Sequence, residues 1–112
     1  MAQVKPPEAV VRDDPDNHRY VLELAGEVVG IAVYHLRGGR YIFVHTEVAR
    51  GHEGEGLGSI LARAALEDVR AKGAKIVPLC PFISAFIRRH TEYGDMIDQR
   101  LLEAIDSRND PA

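Results

Sequence analysis

Arg50 to Ile60 reads RGHEGEGLGSI, and this stretch decides the fold. Gly51, Gly54, Gly56 and Gly58 recur through it. On its N-terminal side, Tyr41 to Ala49 is rich in β-branched and aromatic residues, the composition of a strand. On its C-terminal side, Leu57, Ile60, Leu61, Ala64, Ala65 and Val69 recur at helical spacing, with Arg63, Glu67 and Arg70 opposite. A glycine-rich turn from strand to helix lets backbone N–H groups approach an anion, and the helix terminus adds partial positive charge. Two familiar phosphate loops fail on spacing. A Walker loop ends in Lys followed by Ser or Thr, and Gly58-Ser59-Ile60 has no lysine there. The dinucleotide pattern wants a third glycine at position 59 and an opening βαβ unit.

Outward from the turn, the chain before it reads as a meander. Tyr20, Leu22 and Leu24 alternate with polar positions, Gly26 marks a turn, and Val28 to Leu36 is nearly all apolar. Arg37-Gly38-Gly39-Arg40 marks the next turn, giving three antiparallel strands in succession. After the helix, Gly73 is placed as its C-terminal cap, and Lys75 to Cys80 reads as a short strand that Pro78 makes edge-like or splayed. Pro81 suits a first helical position, and Phe82, Ile83, Phe86 and Ile87 continue at helical spacing, with Arg88, Arg89 and His90 complementing the helix end. Ile97, Leu101, Leu102 and Ile105 predict a last amphipathic helix. The expected fold is α+β: a mixed sheet with an antiparallel three-strand meander, a parallel helix crossover to a splayed fourth strand, then C-terminal helices. Most of residues 1 to 17, with Pro6, Pro7, Pro15 and acidic Asp13 to Asp16, reads as a loose arm. The expected organisation is a flexible arm over 1–13, one domain over 14–106 and a flexible tail over 107–112.

The 112 residues suit one domain. A net charge of −3 with scattered basic residues lacks the positive footprint of a nucleic-acid binder. No apolar run approaches the roughly 20 residues of a membrane span, and MAQVKPPEAV lacks a signal-peptide core, so a cytoplasmic location without membrane partners is expected. Cys80 is the single cysteine, which excludes an internal disulfide, and no two of the five histidines sit at metal-ligand spacing.

Four motifs occur in order: His45-Thr46-Glu47-Val48, Gly54-x-Gly56-x-Gly58 preceded by Glu53, Pro78-Leu79-Cys80-Pro81-Phe82, and Arg89-His90-x-x-Tyr93. Together they resemble the acetyltransferase superfamily called GNAT, in its small single-domain YjdJ-like branch, across roughly residues 14 to 100. The resemblance implies two diverging strands with a cleft between them, in which the pantetheine arm of acetyl-CoA lies like an added strand. It implies coenzyme A contacts from Val48, the loop residues Gly54, Gly56, Leu57, Gly58 and Ser59, and Cys80. The superfamily usually carries Gln or Arg at position 53 and often a basic residue at 55, and commonly proline at 91. This chain has Glu53, Glu55 and Thr91, and the two carboxylates weaken diphosphate binding unless they face solvent.

Strict alternation along Tyr41 to Ala49 puts Ile42, Val44, Thr46 and Val48 on one face, and Tyr41, Phe43, His45 and Glu47 on the other. A histidine beside a carboxylate can deprotonate an ammonium, directly or through water, and the same pair can simply order a strand end. Cys80, at a strand end before a helix, is placed for a thiolate or for a small buried hydrophobe; the resemblance implies a place near the thioester, where it accepts the acetyl group or lines the channel. By the resemblance Tyr93 protonates the departing thiolate; alternatively it is an aromatic anchor. Two functions follow. One is an acetyl-CoA-dependent N-acetyltransferase acting on a primary amine, whether of a small polyamine, a protein lysine or an antibiotic, as a monomer or small homo-oligomer. The other is a coenzyme A-binding or protein-interaction module of the same fold with little or no turnover, which Glu53 and Glu55 favour.

Overall fold

The three strands expected before the glycine-rich turn form as read, and the two tight turns between them explain why. The computed structural model describes residues 9–52 and 56–109. Ala25 and Gly26, at φ 50° and 81°, join one pair of strands, and Gly38 and Gly39, at φ 57° and 80°, join the next. Two consecutive positive φ values match the twist of the flanking strands, which is why two-residue hairpins use them.

The strands are β1 (Ala9–Asp14), β2 (Arg19–Leu24), β3 (Glu27–Arg37), β4 (Arg40–Val48) and β5 (Ile76–Pro78), arranged side by side in chain order. The first four are antiparallel, and β5 pairs parallel with the start of β4. Helix α1 (Leu57–Ala71) makes the crossover. Helix α2 (Pro81–Arg89), a 3₁₀ segment (Thr91–Met96) and helix α3 (Gln99–Asn109) follow β5. The Asp98 carboxylate accepts the Leu101 N–H at 3.0 Å and so caps α3. This is the mixed α+β sheet expected from the sequence, with two corrections at its ends. Ala9–Asp14, read as part of a loose arm, is an edge strand paired with β2 from Ala9↔Leu24 to Asp14↔Arg19. The last helix runs to Asn109, into the range read as a tail. Residues 1–8 and 110–112 of the expected arm and tail lie outside the described residues.

One face of the sheet carries Tyr20, Leu22, Ala32, Tyr34 and Phe43 into a core completed by Leu61, Ala62, Ala65, Leu66 and Val69 of α1 and Ile83 and Phe86 of α2. The buried stripe of α1 is rotated from the expected one, taking in Ala62 and Leu66 and leaving Ile60 43% exposed. Asp68, which interrupts the stripe, accepts a hydrogen bond from the buried Tyr20 hydroxyl at 2.6 Å. Lys72, one turn on, reaches Asp68 at 2.8 Å and Asp13 of β1 at 2.9 Å, and Tyr34 donates to Asp13 at 2.6 Å. One ammonium therefore ties the edge strand to the crossover helix. At Lys72 burial works against the charge, but the bonds to Asp68 and Asp13 outweigh it and raise the pKa. At Asp68 burial favours the neutral acid, yet the bonds from Lys72 and Tyr20 prevail and lower the pKa.

A raised lysine pKa stabilises the fold below the unfolded value, near 10.4, and the gain is lost as pH rises through the folded value. A lowered carboxylate pKa stabilises it above about 3.9, and that gain is lost as pH falls. Lys72→Met should thus lower the melting temperature by several degrees, about 1 kcal/mol for a solvent-screened pair, between roughly pH 5 and 9. The deficit should shrink below about pH 4 and in strong alkali; thermal melts across pH that show a constant deficit would refute this.

Candidate active site

β5 follows β4 for three residues only, through Tyr41↔Ile76, Ile42↔Val77 and Phe43↔Pro78. The Phe43 carbonyl then accepts the N–H groups of both Leu79 and Cys80, at 3.0 and 2.9 Å, and the chain turns into α2. Proline at 78 has no ladder donor, which suits a strand that ends there. Beyond Phe43 no described strand covers this edge of β4.

What that edge offers follows from the β3 pairing. Gly30 faces Val48, while the Ala49 N–H donates to the Val29 carbonyl at 2.7 Å. Gly30↔Val48 is therefore a non-hydrogen-bonded pair, and so is Ala32↔Thr46 two residues along. The N–H and C=O groups of Thr46 and Val48 consequently point away from β3, into the gap left by β5. An extended chain lying there finds main-chain donors and acceptors already aligned.

The gap leads to the N-terminus of α1. Gly56 precedes the helix at φ 76°, a left-handed conformation suited to glycine. Among the described residues no side chain caps α1 and its first turn holds no acid. The first helical N–H groups have no intrahelical partners. A hollow of about 270 Å³ opens over them, lined by Val48, Gly56, Leu57, Gly58 and Ser59 together with His52 and Phe82. All the expected cofactor contacts except Gly54 and Cys80 thus line one hollow; Gly54, Glu53 and Glu55 lie outside the described residues. Gly58 serves packing rather than backbone freedom, because a Cβ there would stand 2.7 Å from Cζ of Phe82.

The strand carrying His45 and Glu47 departs from simple alternation. Val33 pairs with His45 and Tyr34 with Phe43, so Val44 is an extra residue, a β-bulge. Side chains after the bulge exchange faces. Thr46 and Val48 join Tyr41 and Phe43 on the core face, opposite Ala32 and Gly30, while His45 and Glu47 join Ile42 on the outer face, opposite Val33 and Ile31. The expected partition of β4 into odd and even residues is therefore corrected. His45 and Glu47 do share a side, with Nε2 and Oε2 3.3 Å apart, and their side chains are 56% and 66% exposed. A contact this exposed adds little stability, so both groups are available to a ligand.

Cys80 is buried on the other face, and its Sγ lies 3.3 Å from Oγ1 of Thr46. β4 separates it from His45, so the two do not form a nucleophile and base pair; Thr46 is the thiol's partner. Tyr93 is fully buried, donates its hydroxyl to Glu67 at 2.7 Å and accepts from Arg63 at 3.3 Å. Burial, reinforced by Glu67, raises its pKa, so it holds its proton toward α1 and anchors the 3₁₀ segment. Thr46 and Phe82 stand in the motifs, but the sequence assigns neither them nor His52 a place in the site. A bulge is invisible to alternation, and Phe82 reads as one more residue of an amphipathic helix.

Residues 19–96, well over half of the chain, match the family model described as GCN5-related N-acetyl-transferase. The chain belongs to this family. No curated protein matches it. Among solved structures, a GCN5-like protein from Staphylococcus aureus shares the GCN5-related fold with a TM-score of 0.60 and 19% identity, over 79% of this chain and 86% of that one. The ribosomal-protein-S18-alanine N-acetyltransferase of Escherichia coli matches at 16% identity and a TM-score of 0.49, over 54% of this chain and 39% of that one. Nourseothricin acetyltransferase matches at 33% identity and a TM-score of 0.46, over 59% of this chain and 41% of that one. This GCN5-related chain thus spans about two fifths of the length of the latter two.

The contact of Gly58 with Phe82 links the two helix N-termini that border the hollow. Gly58→Ala should displace the ring and cost about 1 kcal/mol through overpacking. Combined with Phe82→Leu the cost should largely vanish, giving a coupling of similar size in urea unfolding. Strictly additive effects of the two substitutions would contradict the contact.

Proposed function

We propose that this chain is an acetyl-CoA-dependent N-acetyltransferase of the small single-domain YjdJ-like kind, transferring an acetyl group to a primary amine. The observation that carries the reading is the continuity of two features: the edge of β4 at Thr46 and Val48, which no described strand covers, and the N-terminus of α1 beneath its hollow, which no described side chain caps. The edge suits the amides of a pantetheine arm and the helix terminus suits a diphosphate. The residues present fit coenzyme A on both counts.

When bound, acetyl-CoA supplies an activated acyl carbon. The exposed His45 and Glu47 lie on the outer face of β4, so in this reading the acceptor amine enters the gap beside the β4 edge from that face and reaches the acyl carbon through the gap. His45 takes the proton that the attacking nitrogen loses, and Glu47, 3.3 Å from Nε2, orients the imidazole. Cys80 lies on the opposite face from that base, which supports direct transfer over an acetylated cysteine. Tyr93, already committed to Glu67, is left out of the reacting set in this reading.

Calorimetric titration with coenzyme A tests the binding half. Gly56→Asn tolerates the left-handed backbone without adding charge, whereas Gly56→Asp adds a carboxylate where the diphosphate is expected. The aspartate variant should bind at least about tenfold more weakly than the asparagine variant, a difference of about 1.4 kcal/mol. Absence of heat with the wild-type chain would sink the cofactor assignment.

Turnover is read separately, with acetyl-CoA and a panel of primary amines that includes a polyamine and a lysine peptide. His45→Gln should lower kcat by about 100-fold or more while leaving coenzyme A affinity near that of the wild type. Intact mass after incubation with acetyl-CoA alone should show no acetyl adduct on Cys80. An adduct that disappears in Cys80→Ala would establish the covalent route, and coenzyme A binding without turnover of any amine would favour the module with little activity.

A further inference from the structure

The gap between β4 and the turn into α2 has a defined inner end. Phe43 is fully buried, and its carbonyl is occupied by the N–H groups of Leu79 and Cys80. Past it, Thr46 Oγ1 and Cys80 Sγ meet at 3.3 Å, a contact that leaves no room for another heavy atom between them. Both side chains are fixed by backbone. The Cys80 N–H donates to Phe43, and the Cys80 carbonyl accepts the Ser84 N–H at 2.9 Å in the first turn of α2. Thr46 stands opposite the buried Ala32 in the β3–β4 ladder, and a β-branched side chain has little freedom at χ1.

Resting on the coenzyme A reading above, we propose that the Thr46–Cys80 contact is the end stop of the acyl site and limits the donor to short acyl groups, acetyl above all. Within that reading, a donor lying along Val48 and Thr46 brings its acyl group to this contact. A longer chain must then push apart two side chains held by a strand ladder and a helix start. Close-packed walls of this kind do not yield to an added methylene without loss. The selectivity therefore comes from bulk. The Cys80 thiol acts here as a wall, and a side chain of similar size should replace it.

Affinities of coenzyme A, acetyl-CoA, propionyl-CoA and butyryl-CoA, measured calorimetrically without an acceptor, test this directly. The wild-type chain should bind butyryl-CoA about tenfold or more weakly than acetyl-CoA. Cys80→Ala should remove most of that difference by deepening the site, and Cys80→Ser, close in size, should keep it. If Cys80→Ala does not fold, Thr46→Ala removes the hydroxyl that meets the thiol and should likewise narrow the difference. Equal binding of acetyl-CoA and butyryl-CoA by the wild type would overturn the proposal. So would full discrimination in the smaller variants, or its loss in Cys80→Ser. Failure of the wild type to bind coenzyme A at all would instead remove the cofactor reading beneath it, a result distinct from coenzyme A binding without chain-length discrimination.

Discussion

The structure turns on one carbonyl group. Phe43 accepts hydrogen bonds from both Leu79 and Cys80, which ends the parallel ladder between β4 and β5 after three pairs. Had the ladder continued, the main-chain groups of Thr46 and Val48 would be spent on β5. Because it stops, they face an edge that no described strand covers. The same turn starts α2 at Pro81, brings Phe82 over Gly58 and sets Cys80 against Thr46. The gap, its inner end and the wall of the hollow over α1 all follow from where two strands part.

The bulge at Val44 is the second constraint, and it acts on chemistry. It sends His45 and Glu47 to the outer face while keeping Thr46 and Val48 over the core. One strand thus presents an exposed imidazole and carboxylate on its outer face and a threonine and a valine on the face where α1 begins. With strict alternation the histidine would have pointed into the core beside Phe43, where burial opposes a group that must gain a proton.

Around this site the fold is held by polar groups that look misplaced until their partners are known. Asp68 falls within the apolar arc of α1, and Asp13 occupies an inward position of β1. Both are satisfied by Lys72, with the Tyr20 and Tyr34 hydroxyls completing the set. This explains why β1 escaped notice. Its inward side reads Ala9, Val11, Asp13, and a carboxylate at the third position breaks the apolar pattern by which a strand is recognised. Tyr93 shows the converse: its place in a motif suggests an acid, and its neighbours Glu67 and Arg63 make it an anchor.

The sequence by itself determined the order of the meander, crossover helix and short parallel strand, the two hairpin turns, the glycine-rich turn and the family those motifs resemble. These are local properties, written in periodicity, in glycines at positive φ and in a proline that cannot extend a ladder. Tertiary structure alone decided which way the residues of β4 face, whom Cys80 touches and what Tyr93 and Asp68 are for. Each depends on a partner distant in sequence: Val33 and Tyr34 for the bulge, Thr46 for the thiol, Glu67 for the tyrosine, Lys72 and Tyr20 for the aspartate. A pattern of side chains along one segment carries no record of the segment it will meet.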